Sequence, residues 1–547
     1  MPEAMQVEAV PAKPAWWQRG VVYQIYPRSF QDSNGDGVGD LPGIVQRLDY
    51  LQWLGVDAVW ISPFYPSPMR DFGYDVTDHR AVDPGFGTLA DFDRIVAEAH
   101  ARGIRVIVDY IPNHTSDLHP WFVESRASRH DPRRDWYIWR DPAPGGGPPN
   151  NWLSAFGGSA WEWDESTGQF YLHTFLREQP DLNWRNPAAE AEMLDVLRSW
   201  LARGADGVRV DAVQMVMKDE GLRDNPPNPD YVEGVDDPYD SLLRVHSADR
   251  PEVHALIARM RELVEVYGNR VLIGEIYNAV DRLMAYYGEG GRGVHFPYNF
   301  QLIKLPWDAR IIDAAVRRYE ALLPPRAWPN WVLGNHDRHR VASRVGPAQA
   351  RVAAMLLLTL RGTPTLYYGD EIGMHDVDIP PDRVQDPWEK NLPGRGLGRD
   401  PERTPMQWSA SPGAGFTTGE PWLPLADDFA SNNVQAQRAD PASMLTLHRE
   451  LLELRRREPA LHVGDWSPVD ADGDVLAYHR SHGNTRFLVA LNLGSDPASL
   501  DVGEMGDVVL GTHLDRSGER VGGRISLRGD EGVIVRMGEA RRVLGRT

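Results

Sequence analysis

A helix that stops at a glycine and hands the chain to a short apolar strand recurs along this sequence, and few folds accommodate that repeat. Ile44, Leu48, Leu51 and Leu54 lie at helical spacing ahead of Gly55 and the strand Val56–Ile61. Thr88 with Asp91 makes a capping-box-like start for a helix whose Leu89, Phe92, Ile95, Val96 and Ala99 form one stripe; Gly103 and the strand Arg105–Ile111 follow. The helix 188–203 passes through Gly204 into a strand reaching Val213, and the helix 252–267 through Gly268 into Val271–Ile276. With Val21–Tyr26, Val294–Tyr298, Trp331–Leu333 and Pro364–Tyr368 the strands number eight. Strands separated by helices argue for parallel pairing with helical crossovers. Eight such units predict an α/β fold, a closed (β/α)8 barrel whose chemistry sits at the carboxyl ends of the strands. An open doubly wound sheet would carry a glycine-rich dinucleotide turn after its first strand. None is present, and Gly145-Gly146-Gly147 before Pro148-Pro149 reads as a flexible loop.

The strand Gly207-Val-Arg-Val-Asp211 carries charges that a buried strand does not tolerate idly. Arg209 and Asp211 are two apart and point to one side, so they are either a structural ion pair or a working one. His114 follows the third strand, Glu275 ends the fifth, and His336-Asp337 follows the seventh. Three carboxylates from separate strands suit glycosidic bond cleavage, in which one attacks while another donates a proton.

The remaining composition narrows the partners. With 58 Lys and Arg against 78 Asp and Glu, the formal charge of -20 repels phosphate backbones and anionic membranes. A small neutral oligosaccharide or glucoside fits better, and no signal for an oligomeric state is present. The absence of cysteine excludes disulfides and thiolate metal sites. No apolar run approaches the ~20 residues of a membrane span, and residues 1–15 read as a disordered lead-in and not a signal peptide. A cytoplasmic enzyme is expected.

The barrel is expected over residues 16–115 and 188–463, with long Pro-, Gly- and Asp-rich loops at about 376–438. The interruption at 116–187 is too long for a plain loop. It holds Trp121, Trp136, Trp139, Trp152, Trp161, Trp163 and Trp184 and one strand-like run, Phe170–Phe175, and reads as an inserted small α+β domain. From residue 464 to 547 the pattern changes to alternating strands, with Val475–His479 and Phe487–Leu491 flanking Gly483-Asn484, which predicts an antiparallel β domain.

Asp109-Tyr-Ile-Pro-Asn-His114, Gly207–Asp211, Gly274-Glu275 and Gly334-Asn-His-Asp337 resemble the four signature motifs of the α-amylase superfamily, glycoside hydrolase family 13. Gln179-Pro-Asp-Leu-Asn183 resembles the extra motif of its oligo-1,6-glucosidase and α-glucosidase branch. The resemblance runs from about Trp17 to the end. It implies the barrel, a domain inserted after the third strand and a C-terminal β-sandwich. It also implies Asp211 as nucleophile, Glu275 as acid/base and Asp337 as the carboxylate that binds at the transition state. Arg209 should lower the Asp211 pKa, and desolvation should favour protonated Glu275. His114 and His336 would donate to sugar hydroxyls. Asp71, Tyr74 and Arg403 match residues that close the pocket around a terminal glucose, with Tyr74 beneath the ring and Asp71 and Arg403 on its far hydroxyls, which implies exo action.

Asp32-Ser-Asn-Gly-Asp-Gly-Val-Gly-Asp40 places oxygen ligands at alternate positions with glycine at the sixth, like the start of a calcium loop. Gly43 stands where an EF-hand has its glutamate, so a solvated turn is the other reading. By resemblance Asp32, Asn34, Asp36, the Val38 carbonyl and Asp40 would bind structural Ca2+ or Mg2+, with no organic cofactor. The expected activity is a retaining α-glucosidase with some transglucosylation; a trehalose synthase or sucrose isomerase type of glucosyl transfer, and an oligo-1,6-glucosidase, are the alternatives. By the same resemblance Ala212, small and directly after the nucleophile, would favour α-1,4 over α-1,6 bonds.

Overall fold

The computed structural model describes residues 14–538; most of the expected lead-in lies outside the described residues. Eight strands form one parallel sheet: β1 (Val22–Ile25), β2 (Ala58–Ile61), β3 (Arg105–Tyr110), β7 (Gly207–Val210), β8 (Val271–Gly274), β9 (Phe296–Pro297), β10 (Asn330–Val332) and β11 (Thr363–Tyr367). Their order is β10-β11-β1-β2-β3-β7-β8-β9. The sheet curls until its edge strands meet, where the Asn299 amide donates to Asn330 Oδ1 at 3.3 Å in place of a strand ladder. This is a (β/α)8 barrel. The helices Leu41–Leu54, Leu89–Ala101, Pro187–Ala202 and Glu252–Val266 fall where the apolar spacing puts them, within two residues at either end. Gly55 at φ 102° and Gly204 at φ 111° take the left-handed conformation that ends a helix and that a side chain would resist.

The two-residue period of the strands divides the core in two. Val22, Ala58, Trp60, Ile107, Val271, Ile273, Phe296 and Val332 pack inside the barrel. Their neighbours Tyr23, Val59, Ile61, Val106, Val108, Val208, Val210 and Leu272 face the helices and join the main core. The same alternation carries Gln24, Asp109, Arg209 and Glu275 inward at the carboxyl ends of their strands. Asp109 and Arg209 are direct neighbours in the β3–β7 register.

Between β3 and the helix Pro187–Ala202 lies a helix, Pro120–Ala127, and a three-stranded antiparallel sheet of β4 (Trp139–Arg140), β5 (Trp161–Asp164) and β6 (Gln169–Leu172), in the order β4-β6-β5. Its tryptophans serve largely as local core: Trp152, Trp161 and Phe170 pack together, and Trp139 stacks on Phe122 at 5.5 Å. The C-terminal strands β12 (Asp465–Val469), β13 (Val475–His482), β14 (Thr485–Asn492), β15 (Ala498–Gly511), β16 (Arg520–Leu527) and β17 (Gly532–Met537) form one antiparallel sheet. Only Gly483-Asn484 separates β13 from β14, as the turn residues predict. The sheet folds over its own apolar face, because Leu500, Val521 and Ile525 of β15–β16 pack with Leu488 and Ala490 of the non-adjacent β14. The two layers of the expected sandwich are thus one continuous sheet, bent where β15 loses register.

Candidate active site

Arg209 is the centre of the site and is only 1% exposed. Its Nη1 lies 2.7 Å from Asp109 Oδ1 and 2.7 Å from Asp211 Oδ1, and its Nη2 lies 2.6 Å from Glu275 Oε1. Trp60 closes one face of the guanidinium at 5.0 Å and donates from Nε1 to Asp109 Oδ2 at 3.1 Å. The strand ends at Val210, so Asp211 is the first residue past it. The chain then turns sharply at Ala212, whose φ of 43° is a left-handed value that a non-glycine residue rarely adopts. That turn aims the Ala212 amide at Glu275 Oε2, 2.9 Å away. Backbone strain at a strand end beside buried carboxylates fits a site that is over-determined by its surroundings.

Burial pushes the Asp211 pKa well up; Arg209 opposes this, and Glu275 and Asp109 add to it. Arg209 does favour the Asp211 anion, as the sequence implies, but it is outweighed in the free protein. Burial raises Glu275 as well, against Arg209. The two carboxyl groups are hydrogen-bonded to each other and titrate as a unit. Burial likewise lifts Asp109 to about 6, with Arg209 opposing.

Asp337 is the opposite case. Burial alone would raise it, but His336, Arg399 and Arg403 hold it well below the usual carboxylate range. Burial also drives His336 well below its ordinary value and leaves the imidazole neutral, so the two guanidinium groups carry the effect. Gln24 Nε2 meets His336 Nδ1 at 2.8 Å, which leaves the Nε2 proton for the Tyr74 hydroxyl at 2.7 Å. Tyr74 and His336 stack with centroids 5.4 Å apart and planes 5° from parallel. Burial lowers His114 to about 4; its Nε2 lies 3.1 Å from Gln179 Nε2, within the extra motif. Gln179 also donates to Asp71 Oδ2 at 3.1 Å.

Asp71, Tyr74, His114, Asp211, Glu275, His336 and Asp337 all line one pocket of about 200 Å3. Arg209 lies beneath its floor. Arg403 is not in the wall: it donates from Nε to the His336 carbonyl at 2.6 Å and from Nη2 to Asp337 Oδ1 at 2.9 Å. The arginine that reaches Asp71 is Arg399, at 2.7 Å, and it reaches Asp337 Oδ1 at 3.2 Å. Arg399 lines the pocket and is fixed from behind by Asp386 at 2.7 Å. Of the two residues expected on the far hydroxyls of the sugar, Asp71 lines the pocket and Arg403 does not; Arg399, four residues earlier, takes the wall position beside Asp71. Both arginines precede or open the same Arg-Thr-Pro-Met-Gln-Trp stretch, and only their arrangement on the loop tells them apart. Asp109, Gln179 and Asp386 also belong to the site. The first two lay within motifs already visible in the sequence, whereas Asp386 carried no local signal.

The Asp32–Asp40 loop is a chain of side-chain-capped turns. Asp32 Oδ1 accepts from the amides of Asn34 and Gly35, and its Oδ2 from the Gly37 amide and the Thr417 hydroxyl. Asn34 and Asp36 each accept one amide, from Asp36 and Val38, at 2.9 Å. Asp40 caps the helix Leu41–Leu54 through Gly43 and also holds Ser33. Asn34 and Asp36 therefore keep open lone pairs for a hard cation, while Asp32 and Asp40 would share theirs with amides and hydroxyls. Among the described residues, the one trio of His and acidic ligand atoms within 4.8 Å of one another is elsewhere, at His339, Asp376 and Glu402. No helix among the described residues is long and apolar enough to cross a membrane.

Comparison with known proteins agrees with this geometry. The family model for the α-amylase catalytic domain matches residues 24–464. The chain is 42% identical over 501 residues to a probable α-glucosidase of Rhizobium meliloti, covering 89% of this chain and 91% of that protein. It is 38% identical over 515 residues to an oligo-1,6-glucosidase of Halalkalibacterium halodurans, covering 87% and 90%. Among solved structures, an α-glucosyl transfer enzyme superposes with a TM-score of 0.91 at 42% identity, over 96% of this chain and 100% of that one. A trehalulose synthase from Pseudomonas mesoacidophila gives a TM-score of 0.88 at 35% identity, with the same coverage. With the barrel, the carboxylates at its strand ends and a family model spanning most of its length, the chain belongs to the α-amylase catalytic-domain family.

Proposed function

We propose that this protein is a retaining, exo-acting α-glucosidase of short α-glucosides. The observation that carries the reading is the pocket wall of buried ion pairs in which Arg399 joins Asp71, Asp337 and Asp386. That wall closes one side of the pocket against a longer chain and supplies fixed partners for the hydroxyls of a single terminal sugar. Asp211 attacks the anomeric carbon while Glu275 gives its proton to the leaving oxygen. Glu275 then takes a proton from the water that releases glucose. Asp211 and Glu275 are bound to the same Arg209 guanidinium, at 2.7 and 2.6 Å, a closeness that supports direct attack by a carboxylate over an intervening water. Proton NMR of freshly released glucose should show the α-anomer first; initial β-glucose would overturn the double displacement.

Glucosyl transfer is the second reading. It is favoured by the likeness to an α-glucosyl transfer enzyme and to a trehalulose synthase, and product analysis on maltose and sucrose separates it from hydrolysis. A structural Ca2+ or Mg2+ in the Asp32–Asp40 loop is part of the same proposal, supported by the open oxygens of Asn34 and Asp36. Such an ion would stabilise only the folded state. Chelation should therefore lower the melting temperature, and unchanged melting of protein shown to be metal-free would reduce the loop to a turn.

A further inference from the structure

The pocket is not uniformly acidic. On the side of Glu275 and Asp337 its wall includes Tyr277, and three cations from separate strand-end loops, Arg244, Lys304 and Arg338, line the same side. Tyr277 stacks on Phe300 at 4.2 Å with planes 3° apart, which fixes its ring. Lys304 Nζ lies 5.0 Å and the Arg338 guanidinium 5.9 Å from the centre of that ring. Arg244 is neutralised by Asp240 at 2.8 Å. Lys304 and Arg338 have no ion-pair partner within 4 Å among the described residues, although Asp240 and Asp237 line the same pocket near enough to act on them, and Arg338 Nε is buried with no acceptor.

Glu275 hands its proton to the leaving oxygen, so the wall beside it receives the leaving group. Two unpaired cations there, in a chain of formal charge -20, are an unusual choice for a neutral sugar. Hydroxyls are served as well by amides and carboxylates, whereas a guanidinium with an open edge beside an ammonium matches a planar or tetrahedral oxyanion. We propose that the leaving-group side of the pocket takes an aglycone bearing an anionic group, a carboxylate or a phosphate, held by Arg338 and Lys304 beside Tyr277. This rests on the α-glucosidase reading and names the substrate class of that same site.

The test compares pairs that differ in charge alone at the aglycone. Maltobionate is set against maltitol for a carboxylate, and maltose phosphorylated at the reducing-end 6-hydroxyl against maltose for a phosphate. At low ionic strength at least one anionic member should exceed its neutral partner in kcat/KM by about tenfold, the scale of two partly exposed ion pairs. The advantage should shrink in about 0.5 M NaCl. Which pair shows it identifies the anion. Arg338→Gln and Lys304→Gln should each lower the anionic-to-neutral ratio severalfold, and Arg338→Lys should keep most of it. Ratios at or below one in both pairs, or variants that reduce both members alike, would mean that the cations only offset the catalytic carboxylates, and the proposal falls. If neither maltose nor 4-nitrophenyl α-glucoside is turned over, the glucosidase reading has failed instead. Calorimetric titration of the same pairs into Asp211→Ala then reads the preference directly as a Kd ratio.

Discussion

Buried arginines occur at both ends of the barrel, and they are used in opposite ways. At the carboxyl end Arg209 is held by Asp109, Asp211 and Glu275, and this acidic surrounding raises its pKa well above the ordinary value against the effect of burial. At the other end Arg455 and Arg480, equally buried, meet no carboxylate. Arg455 donates to the carbonyls of Leu358, Leu461 and Gly362, and Arg480 to those of Thr359 and Gly464. Burial lowers Arg455 to about 10 and Arg480 to about 9. The second pair ties the last barrel helices to the C-terminal sheet by closing off chain-end carbonyls. A buried cation among carbonyls is a clamp; one among carboxylates, with a cavity above them, organises chemistry.

The largest expected effect breaks the link between that chemistry and stability. Asp211→Ala removes the attacking carboxylate and also one member of a crowded acidic cluster, so kcat should fall by about 10^4-fold or more while the melting temperature does not fall. Activity near the unsubstituted level would end the assignment of Asp211. Arg480→Met should do the reverse. It leaves the Thr359 and Gly464 carbonyls without their donor, which costs about 1–3 kcal/mol of stability, and kcat should hold in protein that remains folded. Denaturant unfolding together with steady-state kinetics checks both variants, and a matched loss of kcat and stability in Arg480→Met would erase the contrast.

The smallest effect is on linkage. Ala212 lines the pocket between the nucleophile and the leaving-group side, and valine there would press on an α-1,4-linked second ring more than on an α-1,6-linked one, whose extra methylene lets it swing away. Discrimination by a methyl group or two is worth about 1–3 kcal/mol. The left-handed backbone at Ala212 adds a general penalty for a β-branched side chain, but that penalty falls on every substrate. The ratio of kcat/KM for maltose to that for isomaltose is therefore the quantity to measure. It should exceed one and fall in Ala212→Val; an unchanged ratio would remove residue 212 from linkage choice.

What the sequence determined by itself is what repeats locally. Helical apolar spacing, helix-ending glycines and two-residue strand alternation are set by neighbours in the chain. They made the barrel, the inward direction of Arg209 and the strand-end placement of Asp211 and Glu275 legible without coordinates. Tertiary structure alone decided the pairings between distant segments. Arg399 and Asp71 are 328 positions apart, and Arg399 lies on a Pro- and Gly-rich loop with no periodicity to report its course. The resemblance of the Arg403–Trp408 stretch pointed to Arg403, which supports Asp337 from outside the pocket. The same reason hid Asp386, and it left the balance of charge on Asp211 unreadable, because a pKa sums burial and every nearby charge. Local patterns record the torsional preferences and burial of one segment; the site is made where eight segments converge.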